Sequence, residues 1–169
     1  MDNIDEYGFR PNVGIVLLKP SQSDQGHQVL WARRIGGADA WQFPQGGIDR
    51  GESIRDAVFR ELEEEIGLTE ASVKVLGQTK DWLHYRLPAQ MRRNDSVNGF
   101  VGQKQRWFLL QLEGQDTDVK LEASPQPEFD HWRWVSFYYP INQVVDFKRS
   151  VYRRALTELA EFLPKGADS

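Results

Sequence analysis

Hydrophobic and polar positions along this chain predict short strands arranged around two amphipathic helices. Apolar or alternating runs predict strands at residues 13–18, 28–34, 73–78, 82–87, 105–112 and 129–137, with a short extended piece at 41–44. Polar segments containing Gly or Pro predict a hairpin loop at 20–27 and longer loops at 88–102 and 113–127. Strands on either side of one long helix, closed by a second helix, indicate an α+β sandwich.

Local signals define the first helix. Ser53 is the predicted N-cap, and Gly67 stands where a left-handed residue commonly ends a helix. Between them, apolar side chains recur every four residues and form one stripe: Ile54, Val58, Leu62 and Ile66. The last helix is predicted at 148–163, with one apolar side formed by Val151, Ala155, Leu159 and Phe162. Trp132 and Trp134 are predicted to share one face of the strand before it.

An acidic cluster lies on the first helix. Glu61, Glu64 and Glu65 are spaced i, i+3 and i+4, so they share a face beside the apolar stripe, at the rim of the core. Like charges at this spacing destabilise a helix, and a hard divalent cation removes the conflict. A solvated acidic face is the alternative. The Gly46-Gly47 pair and the Glu52 and Arg60 side chains weigh against it.

Residues 46–68 match the fixed positions of the Nudix box, the signature of hydrolases that act on nucleoside diphosphates linked to another group. The matching positions are Gly46, Glu52, Arg60, Glu61, Glu64, Glu65 and Gly67. The flanking sequences WQFPQGG (41–47) and GQKQRWFLLQL (102–112) resemble the bacterial branch that contains RNA 5′-pyrophosphohydrolases and dinucleoside polyphosphate hydrolases. The similarity extends from about residue 7 to about residue 163, so a single Nudix domain is predicted within 1–169.

The resemblance implies a mixed sheet sandwiched between helices and a site for Mg²⁺ or Mn²⁺, with more than one ion when substrate is bound. Its metal ligands would be Glu61, Glu64 and Glu65, and Glu61 is also the candidate for activating water. Arg60 is predicted to orient carboxylates, with Glu52 as a bidentate partner. Gly46 would let the backbone approach the metal closely. Glu128 would add a metal ligand or base, and the alternative is an ordinary loop acid.

Substrate contacts are predicted at the edges of this site. The candidates are Arg10, Arg34, Tyr85, Gln103, Lys104, Val145, Phe147 and Lys148. Phe147 would stack on a base, and the alternative is a core residue at the start of a helix. Arg10 would contact phosphate, and the alternative is a surface arginine.

The implied reaction removes pyrophosphate or phosphate from the 5′-triphosphate or 5′-diphosphate end of RNA, which would initiate mRNA decay. Hydrolysis of dinucleoside polyphosphates is the second possibility, because both reactions use one metal centre. A non-catalytic sensor of nucleotides or RNA is the third. It is disfavoured because such a protein would usually lack one of the glutamates, and none is missing here.

Composition adds limits to this prediction. The chain has 169 residues, 40% hydrophobic and 27% charged, which is ordinary for one globular domain. It has no cysteine, an acidic N-terminus unlike a signal peptide and no apolar run of about 20 residues, which favours a cytoplasmic protein without a membrane span.

Charge narrows the expected partners. The net charge of −4 argues against a general nucleic-acid binder, and no DNA partner is expected. Residues 46–70 carry eight acids against three bases, and residues 80–106 carry six bases against two acids. An acidic metal centre beside a basic surface suits a substrate with several phosphates. A monomer is expected, and protein partners are left open.

Overall fold

The computed structural model of the protein describes residues 3–20, 26–36, 40–91 and 99–165. In these ranges one sheet contains eight strands. They are β1 (Phe9–Leu18), β2 (Gln28–Arg34), β3 (Trp41–Gln42), β4 (Gln45–Gly47), β5 (Val73–Gln78), β6 (Leu83–Arg86), β7 (Gly102–Leu112) and β8 (Phe129–Ser136). Two α-helices, α1 (Ile54–Ile66) and α2 (Arg149–Leu159), cover the sheet.

The sheet is mixed because β1 and β7 run parallel, while the other strand pairs are antiparallel. The main path of strands is β3-β2-β1-β7-β5. Strand β4 pairs with the first half of β1, β6 pairs with the start of β7, and β8 pairs with β2. The predicted hairpin between β1 and β2 is confirmed by their antiparallel pairing.

Each central strand supplies side chains to both faces of the sheet. On β1, Val13, Ile15 and Leu17 pack with α1, whereas Val16 and Leu18 belong to the cluster that contains the buried face of α2. A helix therefore lies on each side of the sheet, and the predicted α+β sandwich is confirmed.

The helix signals in the sequence agree with the structure. The Ser53 hydroxyl accepts a hydrogen bond from the Asp56 N–H at 3.0 Å, and Gly67 ends α1 with φ of 74°. The second helix is shorter than the predicted 148–163. It ends at Leu159 and continues as a 3₁₀ turn, Ala160–Phe162, which places the Phe162 ring over Gly77 on β5.

Several predicted boundaries were wrong. Strands β1 and β7 begin earlier than predicted because residues 9–12 pair with residues 102–105 in a parallel ladder, although neither segment forms an apolar run in the sequence. The predicted glycine loop is strand β4. Trp132 and Trp134 do share one face, with their rings edge-to-face at 5.2 Å. Residues 92–98 of the predicted loop at 88–102 lie outside the described residues. No helix in the described ranges has the length and apolar character to cross a membrane.

Candidate active site

The acidic cluster faces strand β4 at the end of α1. Glu61 and Glu65 are only 8% and 7% exposed, whereas the side chain of Glu64 is 52% exposed. The apolar stripe of α1 is buried against β1 and β7, which turns the neighbouring carboxylates toward β4 and the cavity beside it. The predicted position at the rim of the core is therefore where these side chains lie.

Arg60 connects these carboxylates to the rest of the box. Its Nε and Nη2 donate to the two carboxylate oxygens of Glu52 at 2.8 and 2.9 Å, which is the predicted bidentate pair. Its Nη1 donates to Glu61 at 2.8 Å and to Glu64 at 3.4 Å, and Nη2 also donates to the Gly47 carbonyl at 2.7 Å. Hydrogen bonding to Arg60 holds the pKa of Glu52 below its usual value.

Burial dominates the electrostatics of the two inner glutamates. Burial raises the pKa of Glu61 to about 7, although Arg60 opposes the shift. Burial, followed by repulsion from Glu61 and Glu128, raises the pKa of Glu65 to about 9. In the absence of a cation, Glu65 therefore binds a proton at neutral pH. A dication at this position would favour the ionised form of both side chains.

Strand β4 packs directly against these carboxylates. The Gln45 N–H donates to Glu65 Oε1 at 3.0 Å. A Cβ atom on Gly46 would overlap the carboxylate of Glu61, so any larger residue at this position would displace that carboxylate.

All four predicted acidic ligands, with Gly46, line one cavity of about 480 Å³. Carboxylate oxygens form a donor set that suits Mg²⁺ or Mn²⁺. Within the described ranges, no three acidic or histidine side chains already converge as a complete ligand set. Arg60 binds Glu61 at 2.8 Å, and Arg34 pairs with Glu128 at 3.5 Å.

Five of the predicted substrate contacts line the same cavity. They are Arg34, Tyr85, Gln103, Phe147 and Lys148. The rings of Phe147 and Tyr85 pack at 5.8 Å, and burial lowers the pKa of Lys148 to about 8. Val145 lines a neighbouring cavity of about 350 Å³, which shares Arg34, Phe147 and Lys148 with the first.

The two other predicted contacts lie away from these cavities. The Arg10 guanidinium lies 4.2 Å above the ring of Phe100. Lys104 pairs with Asp5 at 3.1 Å and lies over the Trp82 ring. Neither side chain lines the cavity of the acidic cluster, and the phosphate contacts predicted for them stay predictions.

Sequence reasoning missed a buried amide network behind the site. Gln105 is fully buried, and its Nε2 donates to Asn12 Oδ1 at 2.8 Å and to Gln45 Oε1 at 3.0 Å. Because Gln45 also donates to Glu65, the network connects the sheet interior to the acidic cluster. Gln105 lies in the polar first half of β7, so no signal in the sequence indicated that its side chain is buried. Gln42, Gln45 and Gln126 also line the cavity and were not predicted.

Gly46→Ala is expected to lower kcat by about tenfold to a hundredfold, because the added methyl group would displace the Glu61 carboxylate by an ångström or more. Steady-state hydrolysis would measure the effect, with thermal unfolding to confirm that the protein is folded. Gly47→Ala is the matched control, since a Cβ there meets nothing within 4 Å. Equal losses in both variants would contradict this explanation.

Comparisons with known proteins agree with the box. Residues 8–155 match the NUDIX domain. A relative from Stutzerimonas stutzeri, named RNA pyrophosphohydrolase, is 58% identical over 95% of this chain and 98% of its own length. One of the same name from Klebsiella pneumoniae is 52% identical over 98% of this chain and 91% of its own.

Solved structures show the same fold at lower identity. An Ap4A hydrolase from C. elegans in a binary complex superposes with a TM-score of 0.65, at 21% identity, over 90% of this chain and 99% of its own. The NUDIX domain of Shewanella oneidensis NrtR with ADP ribose gives 0.57 at 17% identity, over 94% and 93%. Nudix hydrolases are in general dependent on divalent metals. The chain belongs to the Nudix hydrolase family.

Proposed function

We propose that this protein is an RNA 5′-pyrophosphohydrolase, which removes pyrophosphate from 5′-triphosphorylated RNA and leaves a 5′-monophosphate. The carrying observation is that one cavity joins the acidic cluster to an aromatic and basic wall formed by Tyr85, Phe147 and Lys148. Such a cavity suits a phosphate chain attached to a nucleotide. Relatives more than half identical along nearly their whole length carry the name of this activity.

The chain's own residues would divide the work. Glu61, Glu64, Glu65 and Glu128 would hold Mg²⁺, with Mn²⁺ as a substitute, and four carboxylates favour more than one ion. The bound metal would polarise phosphoryl oxygens and lower the pKa of water. Glu61 would accept the proton of the attacking water, while Arg60 keeps the neighbouring carboxylates oriented.

The opposite wall of the cavity would bind the nucleotide. Phe147 would stack on a base, which contributes about 1–3 kcal/mol. Arg34 and Lys148 would place positive charge beside the phosphates. Arg34 pairs with Glu128 in the structure. It would become available to a phosphate when Glu128 turns toward the metal. A cytoplasmic location, where such RNA ends arise, is part of this proposal.

Purified protein with Mg²⁺ is expected to release labelled pyrophosphate from RNA that carries a 5′-γ-labelled triphosphate. The Glu64→Gln variant is the inactive control, because it removes a proposed metal ligand. Its fold should stay intact, since the Glu64 side chain is exposed. A diphosphate-ended RNA in the same panel would show which end is preferred. No release from either RNA, together with good cleavage of dinucleoside tetraphosphate, would overturn the proposal.

The second candidate is hydrolysis of dinucleoside polyphosphates. The specific observation in its favour is the neighbouring cavity of about 350 Å³, which could accept a second nucleoside beside Phe147. The same substrate panel separates the two functions, because it measures the hydrolysis of RNA and of dinucleoside tetraphosphate side by side.

A further inference from the structure

A group of aromatic and basic side chains lies on the sheet at the outer edge of the two cavities. We define the Arg133 cluster as Trp41, His131, Arg133 and Tyr139. The Arg133 guanidinium lies 4.9 Å from the centre of the Trp41 ring and 5.5 Å from that of Tyr139, and it donates to the Tyr139 hydroxyl at 3.0 Å. The His131 ring meets Trp41 edge-on at 5.8 Å.

Within the described ranges, no acid balances the charge of this cluster. Nearby Arg33 pairs with Asp130 at 2.9 Å and Arg34 pairs with Glu128. Among the residues that the structure describes, no carboxylate lies within ion-pair distance of Arg133. An exposed guanidinium that packs on aromatic rings, without a counter-ion in the described ranges, can donate hydrogen bonds to the phosphate of a bound ligand.

The cluster is continuous with the nucleotide side of the active site. Trp41 lines the 350 Å³ cavity together with Val145 and Phe147, and Arg133 contacts the same Trp41 ring from the strand β8. Strand pairing explains the arrangement, since Trp41 and His131 both pair with Arg33 from opposite sides. An RNA chain that leaves the cavity past Phe147 would therefore contact Trp41 and then Arg133.

We infer that the Arg133 cluster binds the RNA chain downstream of the nucleotides held in the cavities. The inference rests on the proposed function. Single-stranded RNA is bound by aromatic platforms for its bases and by cations for its phosphates, and this cluster supplies both. A dinucleoside polyphosphate ends within the cavities and would not reach Arg133 or Tyr139, so these two residues distinguish RNA from free nucleotides.

The test compares two 5′-triphosphate RNAs, a dinucleotide and a ten-nucleotide RNA with the same first two nucleotides. Arg133→Ala is expected to raise KM for the ten-nucleotide RNA by about tenfold. Its kcat, and both constants for the dinucleotide, are expected to stay at the parent values. The salt dependence of log kcat/KM for the longer RNA should weaken by about 0.7, the contribution of one phosphate contact to a single strand.

The matched control is Arg55→Ala, which removes an exposed arginine that lies 4.9 Å over the Phe59 ring on α1. Arg55→Ala should leave KM and kcat unchanged for both RNAs. Tyr139→Ala tests the aromatic part and should also raise KM for the longer RNA alone. Circular dichroism and thermal unfolding show whether each variant is folded.

The outcomes separate the two proposals. If both RNAs are hydrolysed but Arg133→Ala leaves the KM of the longer RNA unchanged, the inference is overturned and the proposed function stands. Equal losses on both RNAs would assign Arg133 a structural role and also overturn the inference. If the parent hydrolyses neither RNA, the proposed function fails and the inference fails with it.

Discussion

Replacing Glu65 with glutamine is expected to lower kcat by about a thousandfold, which corresponds to roughly 4 kcal/mol of lost transition-state stabilisation. Glu65 is a proposed metal ligand beside Glu61 and lies in the cavity wall. Glutamine has nearly the same shape, and its side-chain oxygen can still accept from the Gln45 N–H. The loss of kcat therefore measures the effect of removing the negative charge of Glu65. Steady-state hydrolysis at saturating Mg²⁺ measures it.

The fold of this variant should be at least as stable as the parent when metal is absent. Because burial raises the pKa of Glu65 to about 9, the parent binds a proton more tightly when folded than when unfolded. That contribution to stability is complete below about pH 4.5 and is lost as the pH rises through about 9. Glutamine carries no titrating group at this position.

The Glu65→Gln variant should therefore lose part of the decline in stability between these pH values, measured by urea unfolding in EDTA. It should also lose most of the stabilisation that Mn²⁺ gives the parent, since a ligand stabilises only the state it binds. Unchanged stabilisation by Mn²⁺ would contradict the assignment of Glu65 as a ligand. A collapsed circular dichroism spectrum would indicate a structural role instead.

Replacing Arg60 with alanine is expected to destabilise the protein by about 2–3 kcal/mol and to lower kcat/KM by about a hundredfold. The variant leaves the carboxylates of Glu52 and Glu61 close together without their common cation. This destabilisation is smaller than the loss of about 3–5 kcal/mol for fully buried pairs because the Arg60 side chain is 28% exposed. Urea unfolding and steady-state hydrolysis measure the two effects.

Arg60→Lys separates charge from geometry. A lysine restores the positive charge, but a single ammonium group cannot make the parallel pair of hydrogen bonds to Glu52. Part of the stability should return while most of the activity stays lost. If alanine is tolerated without a change in unfolding or rate, Arg60 does not orient the carboxylates.

The helix that carries the box could be predicted because its determinants are local. Its cap, its C-terminal glycine and its apolar stripe lie within fifteen residues, and the structure places each as expected. The pairing of Arg60 with Glu52 was also predictable, because the helix and the turn before it fix their distance. These features depend on sequence spacing alone.

The hydrogen-bond and ion-pair partners around the site could not be predicted, because they come from contacts between distant segments. The polar start of β7 gives no strand signal until it is paired with β1, and this pairing buries Gln105 beside Asn12. Lys104 forms an ion pair with Asp5, which lies before β1. No sequence pattern links these two residues. Side-chain partners of this kind are determined by the register between β1 and β7, which the sequence alone does not give.

The parallel pairing of β1 with β7 also has a consequence for folding during synthesis. Strand β1 emerges first, but its neighbour in the sheet is complete only at Leu112. Until then α1 has no finished surface to cover, since its core partners include Phe108 and Leu110 on β7. A nascent chain still attached to the ribosome and shorter than this limit is therefore expected to lack the assembled carboxylate centre, and contacts so far apart in sequence make folding slow.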